Sequence, residues 1–227
     1  MNKTLEQIIK SREDISDYLF HFTKGKSGFN TLFKVLSDGQ LKDMNNNGYL
    51  CFTEAPLTSL YNMFQIFERY EEPLYAQYGI GIKKEMLYKC GARPVIYGTC
   101  DDFKLLPEDL KWRFEEYIPN IKDYTWLREW RLKQKMYVLC KEDIIVITKR
   151  KSDKLCLMKD TGEPFDFDGD IDDGELHGEV TGEFMRIYKM VSLEEIRDIC
   201  FLSKSVLDKL LSNQTFGETE TVSLGGF

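Results

Sequence analysis

Short β-favouring runs alternate irregularly with amphipathic helical runs along this chain, and no strand–helix–strand unit repeats at a fixed interval. The clearest strand is Ile144-Ile145-Val146-Ile147, four consecutive β-branched residues whose composition is typical of a strand buried on both faces. This irregular order favours an α+β fold, with a mixed, mainly antiparallel sheet and flanking helices, over a doubly wound parallel sheet.

Hydrophobic periodicity predicts where the individual elements lie. Strands are predicted at residues 18–23, 49–54, 75–82, 93–99, 135–139, 143–148 and 184–190. Helices are predicted at residues 4–19, 29–37, 57–70, 83–88, 108–116, 193–199 and 205–211, the sixth begun by a capping box of Ser192 and Glu195. Residues 162–182 are acidic and glycine-rich, which is typical of a solvated loop, and residues 213–227 are expected to be loose.

Length and charge bound the class of protein. With 227 residues, 42% of them hydrophobic, we expect a core at residues 1–150 and a C-terminal extension at 151–227 packed on it. No signal peptide and no apolar run of roughly 18 residues is present, so we expect a cytoplasmic protein with no membrane partner. The net charge of −7 argues against non-specific coating of nucleic acid, which needs a basic surface.

Two patterns bear on redox state and metals. The six cysteines are scattered without the close pairing of a zinc site, and we expect buried, reduced thiols. In the acidic segment, Asp168, Asp170, Asp172 and Glu179 occupy the first, third, fifth and twelfth places of an EF-hand loop. The sixth place is Asp173 instead of glycine, so we expect a solvated loop and no metal site.

Three residues in or beside predicted strands are candidates for chemistry: His21, Glu54 and Glu129. Taken singly, each has an ordinary structural explanation. A histidine in a strand is often a hydrogen-bonded core residue, Glu54 could cap the helix that follows it, and a glutamate among arginines is often one half of an ion pair.

The segment around Glu129 is the most informative of the three. Residues 123–131 read Asp-Tyr-Thr-Trp-Leu-Arg-Glu-Trp-Arg, so two tryptophans and two arginines bracket one glutamate. If the segment is extended, side chains alternate between faces, and Glu129 and Arg131 share one face. Arg128 then points to the other face with the tryptophans, and we expect it to be structural.

Five short motifs follow one another along the chain: His21-Phe22-Thr23, Cys51-Phe52-Thr53-Glu54-Ala55-Pro56-Leu57, Tyr78-Gly79-Ile80-Gly81-Ile82-Lys83-Lys84-Glu85, Pro94-Val95-Ile96-Tyr97 and Arg128-Glu129-Trp130-Arg131. In this order, the motifs resemble the ADP-ribosyltransferase superfamily. They are similar to the bacterial abortive-infection family AbiGi and, more distantly, to DarT-type nucleic-acid ADP-ribosyltransferases of toxin and phage-defence systems. The resemblance covers roughly residues 18–150 and implies a split sheet in an ADP-ribosyltransferase-like core at residues 1–150.

The resemblance also implies an activity that uses NAD as a co-substrate. Glu129 would stabilise the oxocarbenium-like charge that develops on the ribose, and Arg131 would orient Glu129 or contact a phosphate. Many protein-modifying members carry a second carboxylate two residues before this glutamate, where this chain has Leu127. That departure favours a nucleic acid, DNA or RNA, as the acceptor, in phage defence or as a toxin.

Five further residues would hold NAD if the resemblance extends to function. His21 would contact a ribose hydroxyl, and Phe22 with Thr23 would hold the nicotinamide amide. Either Tyr61 or Tyr78 would stack on the nicotinamide ring, and core packing is the alternative for both.

Two alternative functions stay open. A non-catalytic ADP-ribosyltransferase-like binding module, acting as an antitoxin or sensor with a cognate protein partner, would account for residues 151–227 and the acidic charge. A plain NAD glycohydrolase would release nicotinamide without needing an acceptor.

Overall fold

A seven-stranded mixed sheet forms the centre of the computed structural model of this chain. The structure describes residues 14–71, 73–157, 166–172, 175–181, 183–185, 188–199 and 219–221. In chain order the strands are β1 (Tyr18–Phe22), β2 (Gln40–Lys42), β3 (Leu50–Thr53), β4 (Gly79–Lys83), β5 (Arg93–Pro94), β6 (Ile96–Gly98), β7 (Phe114–Glu116), β8 (Glu129–Leu132), β9 (Met136–Val138), β10 (Ile144–Thr148), β11 (Asp166–Asp172), β12 (Glu175–Thr181), β13 (Glu183–Met185), β14 (Lys189–Ser192) and β15 (Thr219–Thr221).

The helices are short and flank the sheet. They are α1 (Gly28–Asp38), α2 (Leu57–Phe67), α3 (Lys84–Lys89), α4 (Cys100–Leu105), α5 (Lys151–Leu157) and α6 (Leu193–Ile199). The αL conformation of Gly39, with φ of 65°, ends α1, as the Asp-Gly signal predicts. In the part of the chain that the structure describes, no helix has the length and apolar character needed to cross a membrane.

The strand order in the sheet is β14-β10-β4-β1-β3-β8-β5. Within this sheet only the β10–β14 pair is parallel, and the other five neighbouring pairs are antiparallel. The prediction of an α+β fold with a mixed, mainly antiparallel sheet is therefore confirmed.

Regular pairing is interrupted between β1 and β3. All five residues of β1 pair with β4, from Tyr18–Lys83 to Phe22–Gly79. On its other side, β1 is joined to β3 by the single pair Phe20–Thr53. Regular strand pairing along this boundary is thus limited to one residue pair.

Two apolar clusters cover the two faces of the sheet. Leu19, Phe52 and Val146 belong to the cluster under α1, and Phe20 and Ile147 belong to the cluster under α2 and α6. Side chains of β10 enter both clusters and all five of its residues are buried. The prediction of a strand buried on both faces is confirmed.

Part of the C-terminal extension completes this sheet. β14 pairs in parallel with β10, from Ile145–Lys189 to Thr148–Ser192. The capping box that begins α6 is present, because Glu195 N donates to Ser192 Oγ at 3.1 Å and Ser192 N donates to Glu195 Oε2 at 2.7 Å. The edge of the main sheet therefore comes from beyond residue 150.

Two helix predictions are wrong in the described residues. Residues 14–17 are not helical and Tyr18 begins β1, so the helix predicted at 4–19 does not reach its expected end; residues 4–13 lie outside the described residues. Residues 108–116 form a 3-10 turn at Lys111–Arg113 followed by β7. Pairing of β7 with β6 overrides the helical pattern there.

The acidic segment is not a simple loop. β11 and β12 form an antiparallel hairpin in which Phe167 pairs with Val180 and Ile171 with Leu176. Acidic residues alternate with these apolar ones in the sequence, and that period of two is a strand signal which the high charge obscures. β15 lies in the tail that was expected to be loose, and it pairs with β13. The helix predicted at 205–211 lies outside the described residues.

Other strand boundaries shift. The strand predicted at 75–82 begins only at Gly79, that at 93–99 divides into β5 and β6, and that at 184–190 divides between β13 and β14. The described cysteines are free thiols, but Cys90, Cys100, Cys140 and Cys156 are exposed and Cys51 is half-buried, contrary to the expectation of burial.

We predict that Val146→Ala destabilises the protein far more than Val138→Ala. Val146 is fully buried, whereas Val138 on β9 is 67% exposed, so the same deletion leaves a cavity only at Val146. The free energy of unfolding, measured by urea denaturation, should fall by about 2 kcal/mol for Val146→Ala and change by less than about 0.5 kcal/mol for Val138→Ala. Equal losses would contradict the packing of β10.

Candidate active site

A cleft of about 1020 Å³ lies where β1 and β3 lose their regular pairing. Its lining includes His21 and Thr23 from the end of β1, Cys51 from β3, and Glu129 and Arg131 from β8. Small-molecule sites usually have volumes of about 300–1,000 Å³, so this cleft is large enough for a dinucleotide. Five of the seven predicted site residues, Phe22 included, are therefore brought to one place from distant parts of the chain.

Glu129 is the first residue of β8 and directly follows a tight turn. Thr125–Leu127 forms a 3-10 turn, and Arg128 has a left-handed φ of 46°. The extended geometry considered for residues 123–131 is thus limited to Glu129 and its successors. Thr53 Oγ1 anchors the turn by donating a hydrogen bond to Leu127 O.

Tyr97 makes a second attachment at the start of β8. Its hydroxyl donates to Tyr124 O at 3.1 Å and accepts from Glu129 N at 3.5 Å. Burial raises the pKa of Tyr97 to about 12, although the hydrogen bond from the Glu129 main chain lowers it. The protonated hydroxyl therefore joins the turn to the strand at the candidate carboxylate.

The guanidinium of Arg131 orients Glu129. Nε donates to Glu129 Oε1 at 2.7 Å, Nη2 donates to Glu115 Oε2 at 2.6 Å, and Nη1 donates to the carbonyls of Trp112 and Phe114 at 3.1 and 2.7 Å. The side chain of Arg131 is 5% exposed and that of Glu129 is 13% exposed. Glu129 and Arg131 share one face, as strand alternation predicts.

Glu115 and Tyr49 complete the surroundings of Arg131, and both line the cleft. The ring of Tyr49 lies 4.6 Å from the guanidinium carbon, a cation–π contact. Glu115 is also 3.5 Å from Lys122, so two cations share the charge of this second carboxylate. Sequence reasoning missed Glu115 because it lay in a predicted helix, and no local pattern connects it to residue 131.

His21 bridges the interrupted boundary. Its Nδ1 lies 2.8 Å from Cys51 O, and its ring centroid is 5.8 Å from that of Phe52. A carbonyl only accepts, so Nδ1 carries the proton and Nε2 is an acceptor in the neutral ring. Burial lowers the pKa of His21, outweighing the opposite effect of the Cys51 carbonyl, and Lys24 lowers it further.

The register shows that His21 and Glu129 approach the cleft from opposite faces of the sheet. Phe20 pairs with Thr53 and Thr53 with Glu129, so these three side chains share one face. His21 follows Phe20 and belongs to the other face. Both line one cleft because the sheet is interrupted between β1 and β3.

Phe22 and Thr23 also line the cleft. The amide and hydroxyl of Thr23 both donate to Tyr78 O, at 2.8 and 3.0 Å, which fixes the end of β1 against residues 76–78. The ring of Phe22 packs edge-on against Phe64 at 4.8 Å. The Thr23 hydroxyl oxygen keeps acceptor capacity, since its one proton is used.

Tyr75 lines the cleft, whereas the predicted stacking residues Tyr61 and Tyr78 do not. Tyr61 packs against the apolar cluster under α2. The Tyr78 hydroxyl donates to Asp153 Oδ2 at 3.1 Å. Burial raises the pKa of Tyr75, and the nearby charge of Glu129 raises it further. Among the described residues, Tyr49, Tyr75 and Tyr124 are the tyrosines of the cleft lining.

The remaining candidate, Glu54, and its neighbour in the same motif, Cys51, both have structural partners. Glu54 Oε1 accepts from Lys84 Nζ at 2.7 Å and Glu54 Oε2 accepts from Trp130 Nε1 at 3.0 Å, so it joins β3 to α3 and β8 instead of capping α2. Cys51 faces Arg131 across the β3–β8 pair. Burial, followed by the charge of Glu129, raises the pKa of Cys51 to about 12, so this thiol stays protonated and is a poor nucleophile.

Comparison with known proteins adds no relative to this picture. No family model, no curated protein and no solved structure matches the chain. The activity, cofactor and acceptor suggested by the sequence motifs therefore stay predictions, and the geometry of the cleft is the basis for the proposals below.

We predict that Arg131→Met destabilises the protein strongly, because it leaves two largely buried carboxylates without their shared cation. Removing one partner of a buried ion pair costs about 3–5 kcal/mol. Arg128→Met is the matched control, since the Arg128 side chain is 35% exposed and its ion pair with Asp14, at 2.9 Å, is at the surface. The control should lose less than about 1 kcal/mol in urea denaturation. Similar losses would show that Arg131 is not the central contact.

We also predict that His21 makes stability depend on pH. Its folded-state pKa lies below the ordinary value of 6.5, so protonation favours the unfolded chain. The contribution of the neutral ring is complete above pH 6.5 and is lost as the pH falls through the folded-state pKa. His21→Gln should remove this component, so the free energy of unfolding of the wild type should fall more steeply below pH 6.5 than that of the variant. Parallel curves would contradict a half-buried His21 ring that is held neutral in the folded protein.

Proposed function

We propose that this protein is an NAD-dependent ADP-ribosyltransferase that modifies a nucleic acid, in phage defence or as a toxin. One observation carries the proposal: His21, Thr23 and Glu129, which the motifs single out, line one cleft large enough for NAD. A carboxylate held in a fixed orientation by a buried guanidinium is the arrangement that electrostatic stabilisation of a cationic transition state requires.

The chemistry follows from the charge of Glu129. The bond between C1′ of the ribose and the pyridinium nitrogen breaks, its electron pair stays with nicotinamide, and positive charge develops on the ribose. The carboxylate of Glu129 stabilises this oxocarbenium-like charge. A lone pair of the acceptor then forms the new bond to C1′, and the acceptor loses one proton to solvent. Arg131 keeps one carboxylate oxygen of Glu129 fixed throughout.

The other cleft residues serve binding. Nε2 of neutral His21 accepts a hydrogen bond from a ribose hydroxyl, because Nδ1 is committed to Cys51 O. Phe22 and Thr23 hold the nicotinamide amide at the end of β1. Tyr75, which lines the same cleft, stacks on the nicotinamide ring in the place first assigned to Tyr61 or Tyr78.

The contacts of Glu115, the second carboxylate of the cleft, support a nucleic-acid acceptor. Glu115 lines the cleft, but Arg131 binds it at 2.6 Å and Lys122 lies 3.5 Å away. These two cations engage both carboxylate oxygens, so Glu115 is poorly placed to take a proton from a protein side chain. Leu127 occupies the sequence position where protein-modifying relatives of the motif carry a carboxylate.

A non-catalytic binding module is the second candidate, and the same ion pair motivates it. Glu129 and Arg131 are 2.7 Å apart and largely buried, which is also the geometry of a purely structural salt bridge. Such a module binds NAD or a protein partner without releasing nicotinamide. Cells that tolerate large amounts of the wild-type protein would favour the module over a toxin.

We predict that Glu129→Gln reduces nicotinamide release from NAD by roughly 10²- to 10³-fold, because the neutral amide no longer stabilises the ribose charge. Glu54→Gln is the control, since Glu54 is also a strand-end glutamate with an ion pair, to Lys84 at 2.7 Å. Labelled NAD is incubated with each protein in the presence and absence of DNA or RNA. No release by the wild type, or equal rates for wild type and Glu129→Gln, would refute the proposal, and release that needs no acceptor would indicate a glycohydrolase.

A further inference from the structure

The turn between β2 and β3 brings two exposed asparagines to the lining of the cleft. These are Asn45 and Asn47, in the run Asp43-Met44-Asn45-Asn46-Asn47-Gly48. Gln40, on the strand that leads into the turn, lines the cleft as well. Carboxamides present a donor and an acceptor side by side, which is the pattern that pairs with the edge of a nucleobase.

The turn is held rigid from within. Asp43 Oδ1 accepts from Asn45 N at 3.2 Å and Asp43 Oδ2 accepts from Gly48 N at 2.6 Å. Asp43 N itself donates to Lys135 O at 2.8 Å, next to the β2–β9 pair. Left-handed φ values of 55° at Asn46 and 81° at Gly48 complete the bend. A fixed backbone presents the two amides at low entropic cost to a ligand.

The turn is also close to the carboxylate. Asn47 precedes Tyr49 by two residues, so their Cα atoms are at most about 7 Å apart. Tyr49 lies 4.6 Å from the guanidinium carbon of Arg131, which binds Glu129 at 2.7 Å. A group bound at the asparagines is thus within reach of a ribose whose C1′ faces Glu129.

Charge favours recognition of a single base over tracking of a phosphate backbone. The protein has a net charge of −7. Lys42, which also lines the cleft, is engaged by Asp38 at 2.8 Å. Exposed Lys24 and Lys34 also line the cleft and can each contact a neighbouring phosphate, but two lysines are too few to track a phosphate backbone, so specificity must come from the base itself.

We propose that the β2–β3 turn recognises one nucleobase of a single-stranded acceptor, through the carboxamides of Asn45 and Asn47. The inference rests on the proposed function, because it assigns the acceptor subsite of the same cleft. The adenine of NAD has the same chemistry, and the experiment separates the two sources.

Binding of short fluorescein-labelled oligothymidines, each with one central A, C or G or none, tests the site by fluorescence anisotropy. The wild type should prefer one base by at least about tenfold, and Asn45→Ala/Asn47→Ala should lose that preference. Asn46→Gly is the matched control, because glycine keeps the left-handed backbone and Asn46 is not among the lining residues. It should retain the preference. The same series is measured with oligouridines.

Three results would overturn the inference. The wild type could bind all sequences alike in both series, or the double variant could keep the base preference. AMP could displace the oligonucleotide and lose affinity for the double variant by the same factor, which would assign the turn to the adenine of NAD. Base-selective binding without any release of nicotinamide would instead refute the proposed activity and leave the nucleobase site standing.

Discussion

Arg131 makes the contact on which the candidate site depends. Its buried guanidinium faces two carboxylates and two main-chain carbonyls, drawn from β8 and from residues 112–115. A buried cation needs this number of acceptors, since desolvation without them costs several kcal/mol. The same acceptors are thereby fixed in place, so the orientation of Glu129 and the docking of β7 are two results of one interaction. A lysine would not reproduce it, because the fork of Arg131 binds acceptors on several sides at once.

The interruption between β1 and β3 is the second requirement for the site. In a continuous sheet, His21 and Glu129 would lie on opposite faces, separated by the backbone layer. Pairing at Phe20–Thr53 alone leaves room for a cleft that both side chains reach. The main chain of β3 there still needs a hydrogen-bond donor, and Nδ1 of His21 supplies one to Cys51 O. The histidine therefore compensates for the lost strand pairing and is part of the cleft.

Most local structure could be predicted from the sequence, and the failures have separate causes. β10, α1 and the Ser192–Glu195 cap followed from apolar runs, glycine and capping residues, which act over a few positions. The helix predicted at 108–116 failed because β7 pairs with β6 and supplies carbonyls to Arg131, contacts that no local pattern records. The hairpin of β11 and β12 was missed because its charge concealed a period of two.

The sequence by itself determined that Glu129 and Arg131 stand side by side, because alternation along a strand is a property of the backbone. It also determined that a histidine strand, a Thr-Glu strand and this carboxylate follow one another along the chain. Only the tertiary structure decided that Glu115, Tyr49 and Tyr75 reach the cleft while Tyr61 and Tyr78 do not. Such choices depend on which distant segments meet across an interrupted sheet, and that is set by long-range pairing and burial, which no short stretch of sequence encodes.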